Sequence, residues 1–233
     1  KFLRLAIQIG KEVLDLPPVT HQVIPVELGT AARRHYKTLE EEFLAELESG
    51  TLTVANALVK SLRLRQCTSG FLTHEERIQE FDQAKETALS DLIEGLGNDE
   101  TVVVFCCFRH ELAVCARVAE ALGRQYGEVS GERKDLTEHA QIPEGVQVLG
   151  VQIQAGGLGV DFTRACYCVW FSAPWSLGEY EQGLARLHRP GQERHVAYYH
   201  LVAQNSIDER VREALEKRRA VVEYVLEGAK QRR

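Results

Sequence analysis

From Thr101 onward the chain alternates short apolar runs with amphipathic stretches, and this alternation constrains the fold more than any other feature. Val102-Val103-Val104-Phe105-Cys106 is apolar throughout. A run of that length reads as a strand buried on both faces, the habit of parallel sheets. The pattern then predicts a helix over Glu111–Leu122, an extended piece near Tyr126–Val129 and strands over Val146–Val151 and Tyr167–Phe171. A helix over Leu177–Leu187, a strand over Val196–Val202 and a helix over Ile207–Leu226 follow. Strands alternating with helices imply βαβ units, and so an α/β protein whose parallel sheet carries helices on its faces. Ligands of such sheets sit at the carboxyl ends of the strands, so the loops after Phe105, Val151 and Phe171 are expected to carry the chemistry.

The first 97 residues read as mainly helical. Pro17-Pro18 interrupts the chain, and Val23–Leu28 reads as one extended segment. Thr30 is the expected N-cap of a helix carrying Tyr36, Leu39, Phe43 and Leu47 at near-helical spacing. A second helix is expected from Leu52 to Cys67 and a third from His74 to Leu96, closed by Gly97-Asn98.

Composition narrows the class. With 233 residues, 44% apolar and 27% charged, the chain suits one large globular domain or slightly more. Collagen-like, disordered and disulfide-scaffold architectures are excluded. No run of 18 apolar residues is present, and Lys1-Phe2-Leu3-Arg4 opens too short an apolar stretch for a signal peptide. Cys106, Cys107, Cys166 and Cys168 lie in apolar runs, where free Cys acts as a small hydrophobe in a reducing compartment. An intracellular protein is therefore expected, cytoplasmic or, in a eukaryote, nuclear. The sequence has no Met and is expected to be a piece of a longer protein. Net charge is −6, but residues 1–185 carry −10 and residues 186–233 carry +4. A polyanion should accordingly meet a local surface rather than the whole molecule.

Two loops stand out. Ala155-Gly156-Gly157-Leu158-Gly159-Val160-Asp161-Phe162 follows a predicted strand. Its glycines let backbone approach a ligand, and Asp161 can accept from a ribose hydroxyl, although a tight turn would use the same residues. No Lys-Ser or Lys-Thr follows the glycines, so this is not a phosphate loop of the Walker type. In Gln182-Gly183-Leu184-Ala185-Arg186-Leu187-His188-Arg189-Pro190-Gly191-Gln192, positions 182, 186 and 189 fall on one helix face. Pro190 disfavours helix at Arg189. Two guanidiniums and an amide form a donor array suited to phosphate oxygens, or else a solvated charged face paired with Glu179 and Glu181. Trp170 belongs to an apolar strand, while Trp175 sits in a loop. His21, His35, His74 and His139 share no spacing, so no metal site is expected.

Together the two loops resemble motifs V and VI of the second RecA-like lobe of Swi/Snf-type, superfamily-two DNA translocases. Ala155–Phe162 is similar to motif V, and Gln182–Gln192 to motif VI with Gly183 in place of Ala. Trp175 resembles the family's aspartate-tryptophan-asparagine element, Val102–Phe108 its motif IV strand, and Leu64-Arg65-Gln66-Cys67 its helical region. The resemblance implies a linker from a first RecA-like lobe of the same chain over 1–28, a helical region over 29–97, a RecA-like helicase C-terminal domain over 98–205 and a bracing helix and tail over 206–233. It implies that ATP and Mg are held mainly by the first lobe. Arg186 and Arg189 would be arginine fingers. Gly157, Gly159, Asp161 and Gln182 would border the nucleotide. Double-stranded DNA would be contacted through phosphates by Arg109, Ser130, Gly131, Gln152 and Gln154. The implied protein is a DNA-dependent ATPase, monomeric and without a membrane partner, of which this piece alone is inactive. A non-catalytic scaffold lobe, or an ATPase that moves on RNA or displaces protein, remains as an alternative.

Overall fold

The computed structural model describes residues 16–49, 51, 53–75, 77–155 and 159–217. Its centre is a six-stranded sheet. The strands are β1 (Val19–Val26), β4 (Val102–Cys106), β5 (Tyr126–Val129), β6 (Val148–Gln152), β7 (Tyr167–Trp170) and β8 (Val196–Ala203). They lie in the order β1-β8-β7-β4-β6-β5, and every neighbouring pair is parallel. The continuous apolar run of β4 is buried at all five positions, as expected of a central strand.

The two faces of β4 feed different cores. Val102, Val104 and Cys106 point to a layer containing Leu89 and Ile93 of α3 (Ala84–Glu94) and Leu112, Cys115 and Val118 of α4 (Arg109–Ala121). Val103 and Phe105 point to the opposite layer, with Leu149, Val151, Phe162, Trp170, Tyr198 and Leu187 of α5 (Leu177–Leu187). Trp170 is 1% exposed and stacks on Phe105 at 4.6 Å. Burying a side chain of this kind stabilises by about 1.5–3 kcal/mol. The parallel α/β sheet flanked by helices, inferred from the alternation, is the architecture observed.

A third core joins the N-terminal helices to the C-terminal one. Tyr36 of α1 (Thr30–Glu48) and Leu64 and Cys67 of α2 (Val54–Thr68) pack on Ile207, Val211, Ala214 and Leu215 of α6 (Ile207–Glu216). The Tyr36 hydroxyl accepts the Ile207 amide at 2.7 Å. The helical region is thus fastened to the sheet domain rather than tethered to it. Among the described residues no helix is long and apolar enough to cross a membrane.

Several local expectations change. The helix expected over His74–Leu96 is instead a hairpin of β2 (Phe71–His74) and β3 (Arg77–Glu80), followed by the shorter α3. Gly70 explains the reversal. It has φ +84°, its carbonyl accepts the amides of Phe81 and Asp82, and an added Cβ would stand 2.1 Å from the Asp82 carbonyl oxygen. Gly29, not Thr30, caps α1, because the Asp82 carboxylate takes the Gly29 amide at 2.9 Å. Val19–Val26, within the expected linker, forms an edge strand on β8, where Pro25 does not interrupt the ladder. The expected helix Ile207–Leu226 is seen through Glu216; its remainder, the first 15 residues of the expected linker and the end of the tail lie outside the described residues.

Candidate functional site

Helix α5 begins after the carboxyl end of β7, where the Ser176 hydroxyl caps it by accepting the Glu179 amide at 3.3 Å. It then runs back antiparallel to the strands. Gly183 passes directly over the Trp170 ring, and an added Cβ would approach Trp170 Cη2 to 2.6 Å. That contact explains Gly at a position where the resembling motif has Ala. Leu187, fully buried, pins the end of the helix. His188 is the C-cap, and its Nε2 lies 2.9 Å from the Pro17 carbonyl ahead of β1.

Arg186 and Arg189 are both half-buried and converge on one atom. Arg186 Nη1 donates to the Val160 carbonyl at 3.4 Å and Arg189 Nη1 at 3.5 Å, long bonds at the weak end of the range. Arg189 lies beyond the helix end, so it reaches this point from the turn rather than from the shared helix face. The pair stands over the segment Val160–Ala165 that returns from β6 to β7. This segment belongs to the loop after β6, one of the three loops expected to carry chemistry, at the end of it that leads into β7. A short ladder fixes this return segment. The Phe162 amide donates to the Arg186 carbonyl at 3.1 Å, and Gln192 Nε2 donates to the carbonyls of Thr163 at 3.0 Å and Ala165 at 2.9 Å. Gln192 is 5% exposed and ties the two motifs together, a role that spacing alone does not reveal.

Asp161 lies beside the arginines. Burial alone would raise its carboxyl, but hydrogen bonds from Thr163, the Arg189 charge and Gln141 outweigh that and hold it below the usual carboxylate range. Its Oδ1 accepts the Thr163 amide at 2.9 Å. Gly159 is exposed with φ +94°, and an added Cβ would meet nothing within 4 Å. The backbone there is open and adopts a conformation that favours Gly. Gly157 lies outside the described residues. Gln182 is exposed, one turn before Arg186 on α5. It lines a cavity of about 870 Å³ with His21, Tyr180, His200 and Arg212, between α5, the β1–β8 edge and α6.

The remaining candidates gather at the carboxyl edge of the sheet, because the strands are parallel and in register. Cys106 pairs with Gln152, and Val129 with Val151. Arg109 opens α4 just after β4, Ser130 and Gly131 follow β5, and Gln154 follows β6. Arg109 is exposed and ion-paired with Glu132. The Ser130 amide donates to the Arg133 carbonyl at 2.7 Å and its hydroxyl accepts the amides of Glu132 and Arg133, so this residue is engaged in its own turn. Gly131 and Gln154 are exposed, and Gln152 is half-buried.

Beneath this edge lies a buried polar network absent from the sequence reading. The Glu111 carboxyl group, 0% exposed, accepts from the Ser69 hydroxyl at 2.6 Å, the Ser172 hydroxyl at 2.7 Å and the amides of Cys107 and Phe108. Lys85, 3% exposed, pairs with Asp208 at 2.6 Å and donates to the Phe171 carbonyl at 3.0 Å. Burial pushes the Cys107 thiol up, and Cys106 further still, so neither is a ready nucleophile. Among the described residues no group of three or more His, Cys, Asp or Glu side chains is placed to hold a metal ion.

Residues 84–191 match the family model for the helicase conserved C-terminal domain. The chain is 27% identical over 97% of its length to human DNA annealing helicase and endonuclease ZRANB3, and 26% identical over 87% of its length to an uncharacterized ATP-dependent helicase of Mycoplasma pneumoniae. It spans 20% of each of those proteins, and about half or less of the curated relatives it matches. The fold superposes on the Sulfolobus solfataricus SWI2/SNF2 ATPase core solved in complex with dsDNA, with TM-score 0.67 and 18% identity over 88% of this chain and 45% of that one. Over residues 84–191 the chain is similar to helicase C-terminal domains, and it shares its fold with the Swi2/Snf2 ATPase core. The matched span runs from α3 through Gly191. It therefore includes the carboxyl-edge loops, the return segment and the arginine helix.

Proposed function

We propose that this chain is the second motor lobe of an ATP-dependent double-stranded DNA translocase. In this reading Arg186 and Arg189 act as arginine fingers toward ATP and Mg held mainly by a preceding lobe of the same protein. The observation that carries it is the convergence of both guanidiniums, half-buried, on the Val160 carbonyl beside Asp161 and the open backbone of Gly159. An oxygen already gathers both donors, and phosphate oxygens are stronger acceptors of the same geometry. The chain has no phosphate loop of its own. Its residues therefore fit a nucleotide that another lobe presents, and by itself the chain turns over no ATP.

When bound, ATP would supply the γ-phosphoryl group that passes to water with ADP as the leaving group, and Mg would offset the charge of that group. The guanidiniums stabilise charge that develops on it, an effect of about 10³–10⁵ in rate in comparable systems. Asp161 and Gly159 border the ribose side. Arg109, Gly131, Gln152 and Gln154 contact DNA phosphates at the carboxyl edge. The Sulfolobus core solved with dsDNA supports duplex over RNA. The test uses the full-length protein. Arg189→Ala should abolish duplex-stimulated turnover while ATP binding and thermal stability stay near wild type. An unchanged kcat removes the finger assignment, and stimulation by RNA but not duplex removes the DNA assignment.

A further inference from the structure

Arg65 lies on α2, outside both motifs that define the site, yet it is 4% exposed and sits at the seam between the loops after β4 and β7. Its Nη2 donates to the Ala173 carbonyl and to Cys107 Sγ, the latter at 2.9 Å. Its guanidinium carbon lies 5.4 Å from the Phe108 ring centroid and 5.2 Å from that of Trp175. One side chain therefore grips both loops, by polar contact and by ring face. A planar guanidinium suits this because its faces meet rings while its edges donate in a fixed fork. Glu111 closes the same seam from below through Cys107, Phe108 and Ser172.

We propose that Arg65 is a positioning residue that locks the loops after β4 and β7 into one nucleic-acid-facing surface, and so sets how tightly duplex DNA is held. The inference rests on the DNA part of the reading above. Its reach follows from the register. Arg109 is the residue after Phe108, and Gln152 pairs with Cys106. A shift of Cys107–Phe108 therefore moves two candidate phosphate contacts together. The Val160 carbonyl that gathers the arginine pair lies in the segment returning from β6 to β7 and not in either clamped loop, so the basal rate should stay at its wild-type value.

The test is duplex-stimulated ATPase of the full-length protein, titrated with blunt duplex DNA. Arg65→Gln raises the duplex concentration for half-maximal stimulation about tenfold, and Arg65→Lys about threefold. Basal rate and the rate at saturating duplex stay at wild-type values. The sequence has two Trp. In a Trp170→Phe background Trp175 emission reports the clamp directly, and it changes on Arg65→Gln in the absence of DNA. An unshifted half-saturation point in Arg65→Gln overturns the inference and leaves the DNA reading standing. Equal loss of basal and stimulated rates overturns it too, as the mark of a purely structural role. Wild-type protein that ignores duplex overturns the DNA reading and the inference with it.

Discussion

The carboxyl-edge network and the arginine pair place charge in the same domain in opposite ways. Arg65, Lys85 and Glu111 are no more than 4% exposed, and each is enclosed by short contacts to two or more elements. Arg186 and Arg189 are half-buried and reach a common carbonyl at 3.4 and 3.5 Å. A buried charge persists only when its partners are complete, so the first set reads as a frame. A guanidinium that stays partly in solvent over a long bond can exchange its acceptor at little cost, so the second set reads as a contact surface. Frame residues should therefore change stability, with Arg65 also changing duplex affinity through the loops it positions, and contact residues should change turnover or affinity.

The largest expected break of that contrast is at Glu111. Glu111→Ala removes the acceptor of two hydroxyls and of the Phe108 amide, while the Cys107 amide keeps Ser172 Oγ at 3.1 Å, and should destabilise by about 3–5 kcal/mol in urea unfolding. A loss below about 1 kcal/mol would mean that the network is not a frame. Gly183→Ala comes next. The added methyl meets the Trp170 ring, so the helix or the indole must shift, at about 1–3 kcal/mol. Circular dichroism melts would show it, and Arg186 should be displaced with the helix. The smallest effect belongs to the exposed Arg109–Glu132 pair. Arg109→Ala should leave stability within about 1 kcal/mol, as exposed ion pairs do. It should instead reduce the salt dependence of duplex binding by about one unit of slope.

How much of this the sequence carries depends on the range of the interaction. The sheet was legible because a parallel strand's burial is written in a local run, as in Val102–Cys106. The arginine pair was legible because Arg186 and Arg189 lie three residues apart, although Arg189 falls beyond the helix and Gln182 lines a separate cavity. The hairpin after Gly70 was not, because the charged stretch His74–Glu80 reads as helix until Asp82 folds back on that glycine. The Glu111 frame was not legible either. Ser69 and Ser172 lie 42 and 61 residues from Glu111, and nothing local marks them as partners. Gln152 and Cys106 share an edge through strand register, which follows only once the strand order is known.

Whether the two guanidiniums act on the phosphoryl group is decided by single-turnover ATP hydrolysis with duplex DNA, by full-length protein carrying Arg186→Ala and Arg189→Ala together. The hydrolysis rate should fall at least about 10³-fold, with ATP affinity within about threefold of wild type. Hydrolysis within tenfold of wild type would contradict the finger assignment.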